Sequence, residues 1–253
     1  MKISFTKKHY ISLASIVVMF ALWQGAASWF GSELILPQPW DTLLAVVKLI
    51  GDVGFINVVG ATVVRGLIGF IISAVLGMLV GIWAGLRPNF NTFISPFVVT
   101  IRSVPVISLI LLALIWFNPD AVPVFIAMLT MFPFIVTNVA DGIKSVDPNL
   151  IQMAKFYRAD KKKILFGLYI PAIMPFIISG ASSAMGIGWR AIIIGEVLSQ
   201  PTYGIGTKMQ IAQTYLNVET VIAWTIIAIL ISFIFEKTIR LYEKRVLKWR
   251  VQQ

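Results

Sequence analysis

Four charged side chains interrupt long apolar tracts in this sequence: Arg65, Arg102, Arg190 and Glu196. Each is costly inside a bilayer unless it is paired or faces water, so each marks an ion pair, a helix cap or a polar pathway. Glu196 follows Trp189 by seven residues and shares its helical face, whereas Arg190, six residues from Glu196, diverges around the helix. Glu196 is therefore expected to find its partner on another helix. Two roles are open for it, a buried ion pair or cap and the gating of a pathway. Arg102 precedes Ser103, Val104 and Pro105; it either offers a cation to an anionic solute or snorkels to nearby headgroups.

None of this supports catalysis. His9 is the only histidine, no H-E-x-x-H or G-x-S-x-G occurs, and no pair of carboxylates shares an apolar tract. A metal site is not expected, and without cysteine there are neither disulfides nor thiolate ligands. The run "GIGTKM" lacks both the first glycine and the lysine placement of a P-loop, so nucleotide hydrolysis would have to come from another subunit.

The elements that position these charges follow from composition. With 58% hydrophobic and 13% charged residues and a mean hydropathy of +0.88, the sequence is that of an integral membrane protein. Continuous apolar runs rather than short alternating ones exclude membrane β-strands. Tracts long enough to cross the hydrocarbon core fall at 10–30, 60–86, 95–117, 121–140, 171–198 and 219–239. The expected fold is an all-α polytopic membrane bundle of about six transmembrane helices.

Charge placement sets an expected topology. If Lys2, Lys7 and Lys8 are cytoplasmic, the inner segments also hold Arg87, a basic loop at 141–170, and a tail with Lys237, Arg240, Lys244, Arg245, Lys248 and Arg250. The outer segments then hold Lys48 and Lys208. That asymmetry follows the positive-inside rule, with both termini cytoplasmic, and assigns the net charge of +10 to anionic membrane lipids rather than nucleic acid. Lys7, Lys8, a short apolar run and "GAAS" also fit a cleaved signal sequence. A retained helix is preferred because it places the later basic loops inside. Residues 1–59 then form a first helix and an external amphipathic segment, with Asp41 as N-cap and a stripe of Leu43, Leu44, Val47 and Ile50. Residues 60–240 form the core, and 241–253 the basic tail.

Small residues recur at Gly69, Ser73, Gly77, Gly81 and Gly85, and again at Gly180, Ala184 and Gly188. Such spacing lets helices approach closely; ordinary bundle packing is the favoured reading, with lining of a pathway the other.

The stretch "NLIQMAKFYRADKKKILFGLYIPAIMPF", 149–176, is a polar basic island between two apolar tracts. Asp147 reads as an N-cap with Pro148 at the first helical position, and Asp160 as a second start. The expected form is helix, turn at "YRAD", helix, with Pro171 and Pro175 near the start of the fifth span. Gln152, Met153, Phe156 and Tyr157 beside the small Ala154 present much apolar surface for a membrane loop. It either docks a partner or folds back on its own bundle.

From Gln152 to Pro171 the loop resembles the coupling motif of binding-protein-dependent ABC importer permeases: "QMA", three residues, Arg158, then "IP" at Ile170 and Pro171. "VVRGLIGFIISAVLGMLVGIWAGL", "IRSVPVISLILLALIWF", and "GWRAIIIGEVL" followed by "GIG" at 204–206 are similar to further family signatures, so the resemblance covers most of 60–240. It points to the subgroup for nitrate, sulfonates, taurine and similar solutes, or vitamin precursors. Gln152 and Arg158 depart from the family's glutamate and glycine. The resemblance implies a bacterial inner-membrane, type I importer-like fold and a non-catalytic permease without cofactors of its own. Its partners would be ABC ATPase subunits binding ATP and Mg, an extracytoplasmic solute-binding protein, and a second permease copy. It further implies ATPase coupling through 147–170, with Gln152, Met153, Ala154, Phe156, Tyr157, Arg158, Ala159 and Asp160 at the contact. Arg102, Ser103, Pro105, Trp189 and Glu196 are then expected along the translocation pathway. The alternative is a secondary transporter or channel with no ATPase.

Overall fold

A computed structural model describes the backbone of residues 7–246 and the side chains of 10–241. Lys2, Lys248 and Arg250, and the side chains of Lys7, Lys8, Lys244 and Arg245, lie outside the described residues. Among the described residues the chain is helical with no strand: α1 Lys7–Phe30, α2 Pro39–Ile50, α3 Phe55–Leu86, α4 Pro88–Ser103, α5 Val106–Trp116, α6 Val122–Lys144, α7 Pro148–Phe156, α8 Lys161–Ile164, α9 Ile170–Ser199, α10 Ile205–Thr214 and α11 Val218–Val246. Five stretches are long and apolar enough to cross a bilayer, and α4 with α5 makes a sixth if the two halves are counted as one span.

The tract expected at 95–117 is divided between two helices, because α4 and α5 meet at 96°. The cause is local. Pro105 has no N–H to extend the helix and forces the residue before it out of the helical region, and Val104 accordingly sits at φ −69°, ψ 131°. The cap of α2 is corrected. Gln38 occupies that position with Pro39 in the first turn, and Asp41 lies inside the helix. α2 packs Thr42, Ala45 and Val46 inward, against α11, and leaves the stripe of Leu43, Leu44, Val47 and Ile50 exposed.

The centre of the bundle is α6, which packs against α3 and α9. The glycine stripe of α3 lies on it: a Cβ added at Gly69, Gly77, Gly81 or Gly85 would come within 2.6–2.8 Å of Ala127, Ile135, Val139 or Ile143. These partners also fall on one face of α6, so two rows of the same pitch interlock. On the other side Gly180 abuts Asn138, Gly188 abuts Met131, and Ala184 is buried. Both small-residue stripes are packing surfaces, as expected.

The fifth span starts earlier than expected. α8 runs into α9 through a π-helical turn, Leu165–Tyr169, giving one apolar stretch from Lys161 to Ser199. Pro171 cannot donate to the preceding turn, and the wider π turn just before it accommodates the missing bond. α1 stands apart: Trp23 Nε1 donates to the Pro37 carbonyl at 3.1 Å, while almost all its apolar surface is exposed.

Candidate functional site

At the end of the bundle opposite α7, one buried carboxylate gathers three helices. Glu196, fully buried on α9, accepts from Arg65 Nη1 at 2.8 Å and Thr62 Oγ1 at 2.9 Å, both from α3. It also accepts from the Gly206 N–H at 3.0 Å, at the start of α10. Thr62 and Arg65 are three apart and so share one helical face. The hydroxyl of Thr62 in turn accepts from the Ile205 N–H at 2.9 Å. Arg65 completes its own set with the Tyr203 carbonyl at 2.6 Å and an ion pair to Asp120, in the turn between α5 and α6. Both oxygens of Glu196 are engaged, as a buried charge requires.

The backbone is shaped to this carboxylate. α9 ends at Gln200 in the left-handed region, φ 47°, and the chain returns so that α10 begins against the side of α9. A Cβ at Gly204 would lie 2.7 Å from the Glu196 carboxyl group, and one at Gly206 would lie 2.4 Å from the Ile193 carbonyl. The "GIG" run is therefore glycine because the backbone passes too close to Glu196 for a side chain.

Glu196 finds its partner on another helix, as expected, and with no exposed surface it serves as an anchor between α3, α9 and α10. Trp189 is also interior: its Nε1 donates to the Ala228 carbonyl of α11 at 3.0 Å, and its ring lies 5.5 Å from Phe235. Arg102, Ser103 and Pro105 are exposed at the bend between α4 and α5. The Arg102 guanidinium sits 5.1 Å over the Phe134 ring of α6, and the Ser103 hydroxyl bonds back to the Val99 carbonyl at 2.9 Å. The five residues expected along a pathway thus divide into an exposed group at the bend and an interior pair. Sequence reasoning did not find Thr62 and Asp120; the spacing of Thr62 to Arg65 was the available signal.

At the α7 end the loop has the helix, turn, helix form anticipated. Asp147 caps α7 by accepting from the Asn149 N–H at 2.8 Å. The helix closes with paired bonds, Arg158 N–H to Lys155 O and Ala159 N–H to Ala154 O, both at 2.9 Å. This closure places Arg158 in the left-handed region at φ 53°, the conformation a glycine supplies without strain. Asp160 stands at the start of α8 without a side-chain cap bond. Gln152, Met153, Phe156, Tyr157 and Arg158 are exposed, Phe156 at 84% and Tyr157 at 75%, while Ala154 and Ala159 are half-buried. The rings of Phe156 and Tyr157 meet edge-on at 5.7 Å.

Comparison with known proteins places the whole chain. The model of the family "binding-protein-dependent transport system inner membrane component" matches residues 76–248, more than half of the chain. The taurine transport system permease protein of Escherichia coli is 25% identical over 246 residues, covering 94% of this chain and 89% of that one. A putative aliphatic sulfonates transport permease of Bacillus subtilis is 27% identical, covering 92% and 85%. A bicarbonate transport system permease of Synechococcus elongatus is 30% identical over 147 residues, covering 58% and 53%. Among solved structures, an amino acid ABC transporter chain superposes with a TM-score of 0.66 at 18% identity, over 80% of this chain and 97% of its own. A methionine ABC transporter in an inward-facing conformation gives 0.58 at 16% identity, over 85% and 97%. At these identities the structural likeness is one of fold.

Proposed function

The chain belongs to the family of binding-protein-dependent transport system inner membrane components, and from that premise we propose how its two ends serve transport. It is the permease subunit of an ATP-driven importer, a multi-pass, non-catalytic component whose ATPase is a separate subunit. That ATPase, carrying ATP and Mg, docks on the 147–170 loop through the exposed side chains of Gln152, Met153, Phe156 and Tyr157. Arg158, Ala159 and Asp160 shape the turn behind them, and Ala154 sits under the helix. The loop and both termini are cytoplasmic, and a solute-binding protein delivers solute at the opposite end. Two copies of the chain form the pathway, with Arg102, Ser103 and Pro105 at its lining and Trp189 and Glu196 holding the wall from within. The solute is a small molecule bearing an oxyanion group, in keeping with the taurine, sulfonates and bicarbonate named for the relatives.

The observation that carries this reading is the form of α7. A helix of nine residues, capped at its start and closed by paired bonds at its end, holds its last residue, Phe156, and the following Tyr157 largely in the open. Apolar surface of that kind on a fixed backbone is interface surface. The native chain has no cysteine, so single cysteines report without background. Phe156→Cys should cross-link to the ATPase subunit in the assembled importer, and cysteines at Lys162 and Asp52 should label from opposite sides of the membrane. ATP-independent solute uptake by the chain alone would establish the secondary-transporter reading instead.

A further inference from the structure

Arg190 has no role in the contacts described so far, and its position is hard to reconcile with a purely structural one. It lies nine residues before the end of α9 at Ser199, about 14 Å along the helix and well within the span. It is exposed, and among the described residues it makes no ion pair. A guanidinium in that place facing lipid would carry a large desolvation cost, so the surface it points to is wet or polar.

The surroundings are polar as well. Arg190 borders a recess of about 380 Å³ between α9 and α11, with Ser182, Ser183 and Gly186 from α9 and Ser232 and Glu236 from α11 at its lining. Most spans here tie their hydroxyls back to the helix, as Thr130, Thr137 and Thr225 do, but Ser182, Ser183 and Ser232 make no such bond among the described residues. A Cβ at Gly186 would meet nothing within 4 Å, so packing inside this chain does not demand its glycine. Glu236 accepts twice from Arg240, at 3.0 and 2.6 Å, which leaves its charge compensated and Arg190 as the uncommitted cation of the recess.

We propose that Arg190, with the hydroxyls of Ser182, Ser183 and Ser232, forms an anion-binding station within the span, suited to a small oxyanion of the sulfonate or carboxylate type. A planar guanidinium matches such a group with paired hydrogen bonds, and serine hydroxyls donate to its remaining oxygens. The inference rests on the pathway reading above, since a solute reaches this depth only through water.

Cysteine labelling in the complete importer, in membranes, separates the two. Ser183→Cys and Ser232→Cys each place a thiol in the recess, to be treated with 2-sulfonatoethyl or 2-(trimethylammonium)ethyl methanethiosulfonate. The same thiolate attacks either reagent, forming a mixed disulfide and expelling methanesulfinate, so the ratio of the two rates cancels changes in its ionisation. With Arg190 present, the sulfonate reagent should react faster by about tenfold or more relative to its ratio on a free thiol. Adding Arg190→Gln should abolish that preference, and adding Arg190→Lys should keep most of it. Labelling with no charge preference, or a preference that survives Arg190→Gln, overturns the anion station and leaves the pathway standing. Failure of either cysteine to react with both reagents at any stage of the transport cycle overturns the pathway reading for this face, and the station with it.

Discussion

Where α3, α9 and α10 meet, the one fully buried carboxylate among the described residues has both oxygens bonded, and two glycines let the backbone close on it. At the α7 end the arrangement is reversed: aromatic side chains stand in the open, an arginine holds a backbone conformation that favours glycine, and a π turn joins the loop to its span. One region satisfies its polar groups internally. The other leaves its apolar groups for something else to cover. On the function proposed above, the contrast separates a part of the permease that holds shape from a part that receives force, and substitutions on the two sides should differ in what they break.

The largest effect is expected at Glu196. Glu196→Ala takes from Arg65 its buried partner, leaving the pair to Asp120, and deprives the Gly206 N–H and the Thr62 hydroxyl of their acceptor; buried donors left unsatisfied cost about 1–3 kcal/mol each, more where the donor is charged. The purified variant should unfold at clearly lower temperature and lose protection around 200–210, while an ATPase bound at α7 is retained by whatever fraction folds. If thermal stability were unchanged and only transport fell, Glu196 would act on solute and the anchor reading would fail.

Next comes the α3–α6 seam, which tests whether rigidity runs the length of the bundle. Gly81→Val drives a Cβ to 2.8 Å from the Val139 Cβ and 2.9 Å from the Val136 carbonyl, and backbone cannot yield as a side-chain tip does. Overpacking of this kind costs about 1–3 kcal/mol, read as a fall in unfolding temperature in detergent. Gly60→Ala, on the same helix but with open space around it, should be neutral or slightly stabilising. Equal effects of the two would mean the seam is looser than its geometry.

On the loop the order of effects inverts. Phe156→Ala with Tyr157→Ala removes exposed side chains, so the unfolding temperature should hold, a surface change being worth within about 0.5 kcal/mol. ATPase retention should fall roughly tenfold or more, as expected for paired aromatic anchors. Lowered stability with full retention would place these rings against their own bundle, the alternative the sequence left open.

How much of this was legible follows the same division. The spacing of Gly69 to Gly85 announced a close seam because helix period alone fixes which residues share a face. Asp147 followed by Pro148 announced the start of α7 because capping is local. That Glu196 needed a distant partner could be reasoned from Arg190 pointing elsewhere, but that the partner was Arg65 could not, since 131 residues of chain separate them and no local pattern records their meeting. The bend at Pro105 was passed over for a different reason: counting apolar residues ignores a missing N–H, although the Val104–Pro105 pair was in view. Pro39 outweighed Asp41 at α2 in the same way. The exposed Arg190 was visible as a charge but not as one without an ion pair among the described residues, because pairing is a property of the folded surroundings.

Arg158 offers the smallest effect and the finest test of the loop. In the left-handed region a side chain costs about 1 kcal/mol relative to glycine, while glycine gives back part of that through the greater freedom of the unfolded chain. Arg158→Gly should therefore leave the unfolding temperature of the bundle unchanged and tighten only the turn. The paired bonds from the N–H groups of residues 158 and 159 are where the gain appears, and hydrogen exchange across 147–165 should slow by about two- to fivefold. Arg158→Val should do the reverse, since a β-branched residue tolerates this conformation poorly. ATPase retention distinguishes the roles left to the guanidinium itself. If Arg158→Gly slows exchange and retains the ATPase, residue 158 serves the turn and its charge is incidental; if exchange slows while the ATPase is lost, the arginine is held in a strained conformation because its side chain is part of the docking surface.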